Sequence, residues 1–311
     1  MQSSFALRAT LQRMIPLRLR LAMYVNVTRH WSVFGSETFK RNSRSQNCYF
    51  YEENKTEATC RLWFLGTMLG TTKDALFAEK RELIDDFDFG AKTAEVFDDM
   101  LDRSVPYYAE IQRIMGELAL DFAVPGSNLY DLGCSTGTTL VHLDKLLPSG
   151  VTFVGVDSSP EMLDKARTKL KQAGSERVTE LTCADLNNNV RIANASVVIL
   201  NLTLQFIRPL NRDRVVAGMA AGLNKDGCLI LVEKMLSENS TINRLFIKHY
   251  YEFKKRNGYS EMEIAQKREA LENVLIPYHF DENRELLLRN GFKSCDVFFR
   301  WYNFCGMLAI K

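Results

Sequence analysis

Asp131, Gly133 and Gly137 stand in the run YDLGCSTGTT at the spacing D-x-G-x-x-x-G, directly after a short apolar stretch. A strand that turns through glycines into a helix presents bare backbone N–H groups to a ligand. Dinucleotide sites space their glycines G-x-G-x-x-G, and each glycine serves the turn, the pyrophosphate or the helix packing. Here Cys134, Ser135 and Thr136 fill the middle, and no third glycine follows. A nucleoside without a pyrophosphate fits better. S-adenosylmethionine is the expected ligand, because its amino-acid end can approach bare backbone at Gly133. Three more polar residues close successive apolar runs: Asp157 in VGVDSSP, Asp185 in CADL and Asn201 in ILNLTLQF. Asp157 can accept from both ribose hydroxyls, and Asp185 can take an adenine amino donor. Taken singly, each is at home in a turn or cap. Four such positions on four consecutive runs point to one nucleoside site.

The elements that must position these groups alternate along the chain. Apolar spacing predicts helices over 92–101 and 105–122, and Pro125-Gly126 then breaks the chain. NLYDLGC reads as a strand and 136–147 as a helix. VTFVGVD is a strand, followed by a helix over 160–173 with Ser159 as N-cap. VTELTCAD and ASVVILNLTLQF carry the next two strands, 212–223 the next helix, and GCLILVEK a fifth strand. Apolar strands separated by helices predict an α/β fold, a doubly wound, mostly parallel sheet with helices on both faces. Residues 236–275 interrupt the alternation with a helical, aromatic and partly basic insertion. A helix over 282–290, ended by Gly291, leads to KSCDVFFRW and NFCGMLAIK, which predict an antiparallel C-terminal hairpin. That ending suits the methyltransferase variant of the doubly wound fold.

Composition bounds the rest. The 311 residues are 46% hydrophobic and 25% charged, enough for a sizeable core. No apolar run reaches the roughly 20 residues of a membrane span, so no membrane association is expected. Seven cysteines without a CxxC pair argue against a disulfide framework, and four scattered histidines give no metal motif. The net charge of +2 is uneven. Residues 1–73 carry 11 Lys/Arg against 4 Asp/Glu, whereas 74–311 carry 29 against 34. The acidic body argues against strong direct nucleic-acid binding. The first 36 residues hold five arginines and no acid. That is the composition of an organellar transit peptide or of a disordered basic arm. The expected organisation is an N-terminal extension over 1–73 and a catalytic domain over 74–311, with the helical insertion inside it.

From about Asp74 to Lys311 the chain resembles the carboxy-S-adenosyl-L-methionine synthases of the methyltransferase superfamily. The resemblance rests on AEVFDDMLDRSVPYY, YDLGCS, NLTLQF, FKKRNGYSEMEIAQKREALENV and NFCGMLAIK. It implies that S-adenosylmethionine is substrate and carboxy-S-adenosylmethionine product, with no metal. Prephenate would donate the carboxyl group and leave as phenylpyruvate. A partner tRNA carboxymethyltransferase would pass the new group to the wobble uridine. It also implies a homodimer and a cytoplasmic setting, or an organelle if the extension is a transit peptide. The matching site residues are Tyr108, Gly133, Cys134, Ser135, Asp157, Ser158, Asp185, Leu186, Asn201 and Arg268. Ser158 departs mildly, since the family often has Asn there. Arg268 would hold the new carboxylate. A methyl donor alone has no use for a guanidinium beside its sulfonium, whereas a carboxylate suits the planar two-pronged donor. Without the matching context, Arg268 would be a surface charge on a Glu/Lys-rich helix. Tyr250, Tyr251 and Phe253 serve either a dimer surface or core packing. No base stands out in these loops, so the co-substrate is expected to supply it. A conventional methyltransferase acting on a small molecule or tRNA is the alternative.

Overall fold

The computed structural model describes residues 72–188 and 190–311. The N-terminal extension, and with it the transit-peptide reading, lies outside the described residues except for 72 and 73. Two helices open the domain, α1 (Ala91–Ser104) and α2 (Tyr108–Phe122). The spacing predicted the second from residue 105. Pro106 explains the later start: the residue before a proline avoids the helical region, and Val105 is extended with φ −103°.

The alternation follows as β1 (Asn128–Leu132), α3 (Thr138–Asp144), β2 (Thr152–Asp157), α4 (Pro160–Gln172), β3 (Thr179–Cys183) and β4 (Ala195–Asn201). A single 3₁₀ turn (Leu204–Phe206) precedes α5 (Pro209–Gly222) and β5 (Leu223–Leu236). Helix α3 starts two residues later than predicted because Gly137 caps it with φ +75° and keeps Thr136 in the turn. Ser159 caps α4 as its position foretold: its Oγ accepts from the Met162 N–H at 3.1 Å, with Pro160 in the first turn. The insertion is two helices, α6 (Ser240–Arg256) and α7 (Glu261–Leu271), the second closed by a Ser260–Glu263 capping box. A short β6 (Tyr278–His279), α8 (Phe280–Arg289), β7 (Ser294–Trp301) and β8 (Phe304–Ile310) complete the domain.

The strands lie in the order β3-β2-β1-β4-β5-β8-β7, with β6 beside β5. Strands β1 to β5 pair in parallel, and β8 runs antiparallel to both β5 and β7. Strand residues alternate between two cores because successive side chains point to opposite faces. Tyr130, Val198 and Leu229 pack on one face, and Leu129, Val197 and Ile230 on the other. The central strands β1, β4 and β5 are covered on both faces, so among them the open space lies at the strand ends. At the carboxyl end β1 sends its chain toward β2 while β4 stands on its other side, the crevice where doubly wound sheets bind ligands.

Glu233, 2% exposed near the end of β5, holds that crevice together from below. Its carboxylate accepts from the Leu204 N–H at 2.8 Å and the Gln205 N–H at 2.9 Å, the first free donors of the 3₁₀ turn. Removing one acceptor strands a buried N–H, which costs about 1–3 kcal/mol. Glu233→Gln is therefore expected to lower the thermal midpoint by about 2–4 °C for each kcal/mol lost in a domain of this size. Scanning calorimetry checks it, and an unchanged midpoint would show that the two bonds carry no net stability.

Candidate active site

The turn after β1 is built on strained backbone. Gly133 has φ +79°, and a Cβ there would run into the Thr203 side chain. Ser135 (φ +48°), Leu202 (φ +61°) and Tyr107 (φ +54°) are non-glycine residues with positive φ, and each lies within one residue of the groups expected to hold a ligand. Such strain persists only where the surroundings over-determine it. Here Asp157 supplies much of the constraint. Its Oδ2 accepts from the Ser135 N–H and its Oδ1 from the Ser159 N–H, both at 2.9 Å. Burial pushes the Asp157 carboxyl up, and the N–H donors of Ser159, Ser135 and Ser158 pull it back.

All ten residues singled out in the sequence line one cavity of about 580 Å³ at this edge of the sheet. Gly133, Cys134 and Ser135 form the floor after β1. Asp157 ends β2 and Ser158 follows it. Asp185, exposed, follows β3 and accepts from the Asn187 N–H at 2.8 Å. Leu186 is buried beside it. Asn201 ends β4, and its buried side-chain oxygen has no hydrogen-bond partner. Tyr108 presents its ring, while its hydroxyl accepts from Gln112 Nε2 at 2.9 Å and burial pushes its pKa up. Arg268 is an exposed residue of α7 on the rim, with no ion-pair partner among the described residues.

Asp131 lies inside β1, as the reading of NLYDLGC as a strand places it; it is completely buried, with both carboxylate oxygens unpartnered, and does not line the cavity. The insertion's aromatics resolve toward packing. Tyr250 is buried against Phe304 (ring centroids 5.3 Å), and Phe253 packs on Trp301 at 5.4 Å. Tyr250 and Tyr251 also reach the cavity wall.

Two groups of lining residues escaped the sequence analysis. Phe87, Phe89 and Phe206 form an aromatic roof, with Phe89 at 5.1 Å from each of the other two. The roof hangs from α7: the Phe87 N–H donates to Ala270 O at 2.9 Å, and Gln266 Nε2 donates to Phe77 O at 2.9 Å. The second group is cationic: Lys234, Lys254 and Lys267 line the same wall. Lys267 stands directly before Arg268, the one signal that could have drawn attention to it. Among the described residues no cluster of three or more His, Cys, Asp or Glu could hold a metal ion, and no helix is long and apolar enough to cross a membrane.

A family model described as a methyltransferase domain matches residues 130–229. A carboxy-S-adenosyl-L-methionine synthase from Methylococcus capsulatus is 56% identical over 241 residues, covering 77% of this chain and 100% of that protein. Another from Desulfotalea psychrophila is 44% identical over 240 residues, 77% of this chain and 97% of that one. An O-methyltransferase family protein from Burkholderia thailandensis superposes with a TM-score of 0.53 at 15% identity, covering 82% of this chain and 68% of that chain. The sheet order, the crevice and the matched domain define a methyltransferase-type α/β protein. Within that class, the chain belongs to the carboxy-S-adenosyl-L-methionine synthase family.

Asp131 makes stability depend on pH. Burial, and next the charge of Asp157, raise its pKa to about 7 from 3.8. Between those values the folded chain keeps a proton that the unfolded chain has lost, so this group's contribution falls as pH rises from about 4 to about 7. Asp131→Asn removes the titration. Its thermal midpoint relative to the parent is expected to be higher at pH 8 than at pH 4. Equal offsets at the two pH values would contradict the shift.

Proposed function

We propose that the protein converts S-adenosylmethionine and prephenate to carboxy-S-adenosylmethionine and phenylpyruvate. The observation that carries this reading is Arg268. Its guanidinium, without an acid partner among the described residues, borders the same cavity as the loops after β1 to β4. Family membership supports it. The acidic half of the cavity suits a cationic nucleoside. The backbone of Gly133 to Ser135 would take the amino-acid end, Asp157 the ribose hydroxyls and Asp185 with Leu186 the adenine. Tyr108, Ser158 and Asn201 would complete the hold, and the orphan oxygen of Asn201 fits a donor on the ligand.

In the reaction, prephenate loses carbon dioxide and expels hydroxide as its ring becomes aromatic. The methyl carbon of S-adenosylmethionine gives its proton to that hydroxide, making water, and bonds to the carbon dioxide. The products are phenylpyruvate and the carboxylated nucleoside, and the co-substrate supplies the base. The chain's part is to hold both molecules together, exclude bulk water under the aromatic roof, and present Arg268 to the new carboxylate. A tRNA carboxymethyltransferase would then use the product on a wobble uridine. The catalytic unit is taken as 74–311, working as a homodimer in the cytoplasm, or in an organelle if the leading arginine-rich segment directs import.

Incubation with S-adenosylmethionine and prephenate is expected to yield the carboxylated nucleoside by mass spectrometry, with phenylpyruvate in equal amount. Methylation of a small molecule or tRNA without these products would favour a conventional methyltransferase. Arg268→Ala is expected to bind S-adenosylmethionine nearly as well as the parent, while losing about tenfold or more in affinity for the carboxylated form, the scale of one charge-assisted contact. Equal losses for both ligands in calorimetric titration would remove Arg268 from the carboxylate role.

A further inference from the structure

The lysines of the cavity wall are out of balance with their surroundings. Lys254 of α6 and Lys267 of α7 are each 5% exposed, and Lys234 near the end of β5 is half-buried. Lys267 Nζ is 3.4 Å from Asp74 Oδ2, a carboxylate oxygen that also accepts from the Tyr259 hydroxyl. Neither Lys234 nor Lys254 has a hydrogen-bond or ion-pair partner for its ammonium among the described residues. Both instead stand over the Tyr250 ring, at 5.0 and 5.7 Å from its centroid, and Lys254 also lies 5.3 Å from that of Tyr259. A buried ammonium without an anion is costly, and these two open onto a cavity.

We propose that Lys234 and Lys254 form an anion subsite, separate from Arg268, that takes one carboxylate of a small dicarboxylate co-substrate. The proposal rests on the two-substrate reading above and adds where the second substrate is gripped. The lysine pair and Arg268 line one cavity together with Tyr250, Tyr251 and Phe206, which suits a body with two carboxylates and an apolar ring. A monocarboxylate product would engage one point only and leave more readily.

The ionisation of the lysines agrees with an absent counter-ion. Burial, then Lys267, then Lys234 bring Lys254 down to about 6, and Asp74 and Glu263 only partly offset this. Burial and then Lys267 bring Lys234 down to about 8. Arg103 also pushes Lys267 down, so it adds to the positive field, while Asp99 opposes. A bound carboxylate reverses the balance. Its arrival near pH 7 should therefore draw a proton onto Lys254.

Calorimetric titration of prephenate into the protein saturated with S-adenosylhomocysteine tests this, because that nucleoside lacks the methyl group and permits no turnover. The expected result is proton uptake, seen as a heat that differs between Tris and HEPES buffers. Lys254→Met and Lys234→Met should each weaken prephenate by about tenfold or more while holding S-adenosylhomocysteine within about twofold, the normal nucleoside titration also reporting a folded site. Proton uptake should vanish in Lys254→Met, and Lys254→Arg should restore affinity. Prephenate affinity unchanged in both methionine variants would overturn the subsite. So would inorganic phosphate binding as tightly as prephenate with the same lysine dependence, which would mark a general anion hole. Lysine-dependent prephenate binding with no carboxylated product would refute the proposed reaction but not the subsite. Product formed at an unchanged prephenate KM in both variants would do the reverse.

Discussion

The carboxylate of Asp157 ties the catalytic edge together. One oxygen accepts from the turn after β1 and the other from the start of α4. The turn after β1, strand β2 and helix α4 thus meet on one side chain at the carboxyl edge of the sheet. The strained φ of Ser135 and the bare approach at Gly133 both depend on this grip. Glu233 plays the matching part under the 3₁₀ turn after β4. Each carboxylate satisfies backbone donors that a turn cannot satisfy for itself.

The cavity is electrically divided. Asp157 and Asp185 occupy the side built by the strand ends, and Lys234, Lys254, Lys267 and Arg268 the side facing the insertion. A methyl donor bound by the strand ends is cationic, so the acidic half suits it as in any methyltransferase-type site. The cationic half has no such purpose. Helices α6 and α7 supply three of its four basic side chains, and α7 also carries the aromatic roof through Gln266 and Ala270. An insertion that first reads as a break in the fold's rhythm is therefore the part that brings most of the basic side chains to this cavity.

Much of the fold was legible because its periodicities are strong. Five apolar runs bounded by turns, Ser159 before Pro160, and the paired final strands each have a local physical cause. The boundaries that shifted also have local causes: Pro106 delays α2, and Gly137 delays α3. The cavity residues after β1 to β4 were legible for the same reason, since each lies at or just past the end of a strand. Asp131 was legible as part of the first strand but not as a fully buried carboxylate, because charged residues normally sit outside. Lys254 and Lys267 were hidden because a long side chain in an aromatic, charged helix reads as a solvated face. Spacing along α6 and α7 says which side of each helix a residue takes, but not what stands opposite.

By itself, then, the order of residues determined the alternating α/β fold, the glycine turn and the strand-end polar groups, because these follow from contacts near in the chain. Only the tertiary structure decided that Lys234, Lys254, Lys267 and Arg268 share one cavity with them. Those residues come from β5, α6 and α7, and their meeting depends on how two helices close over the sheet. Long-range packing sets that closure, and no local propensity encodes it.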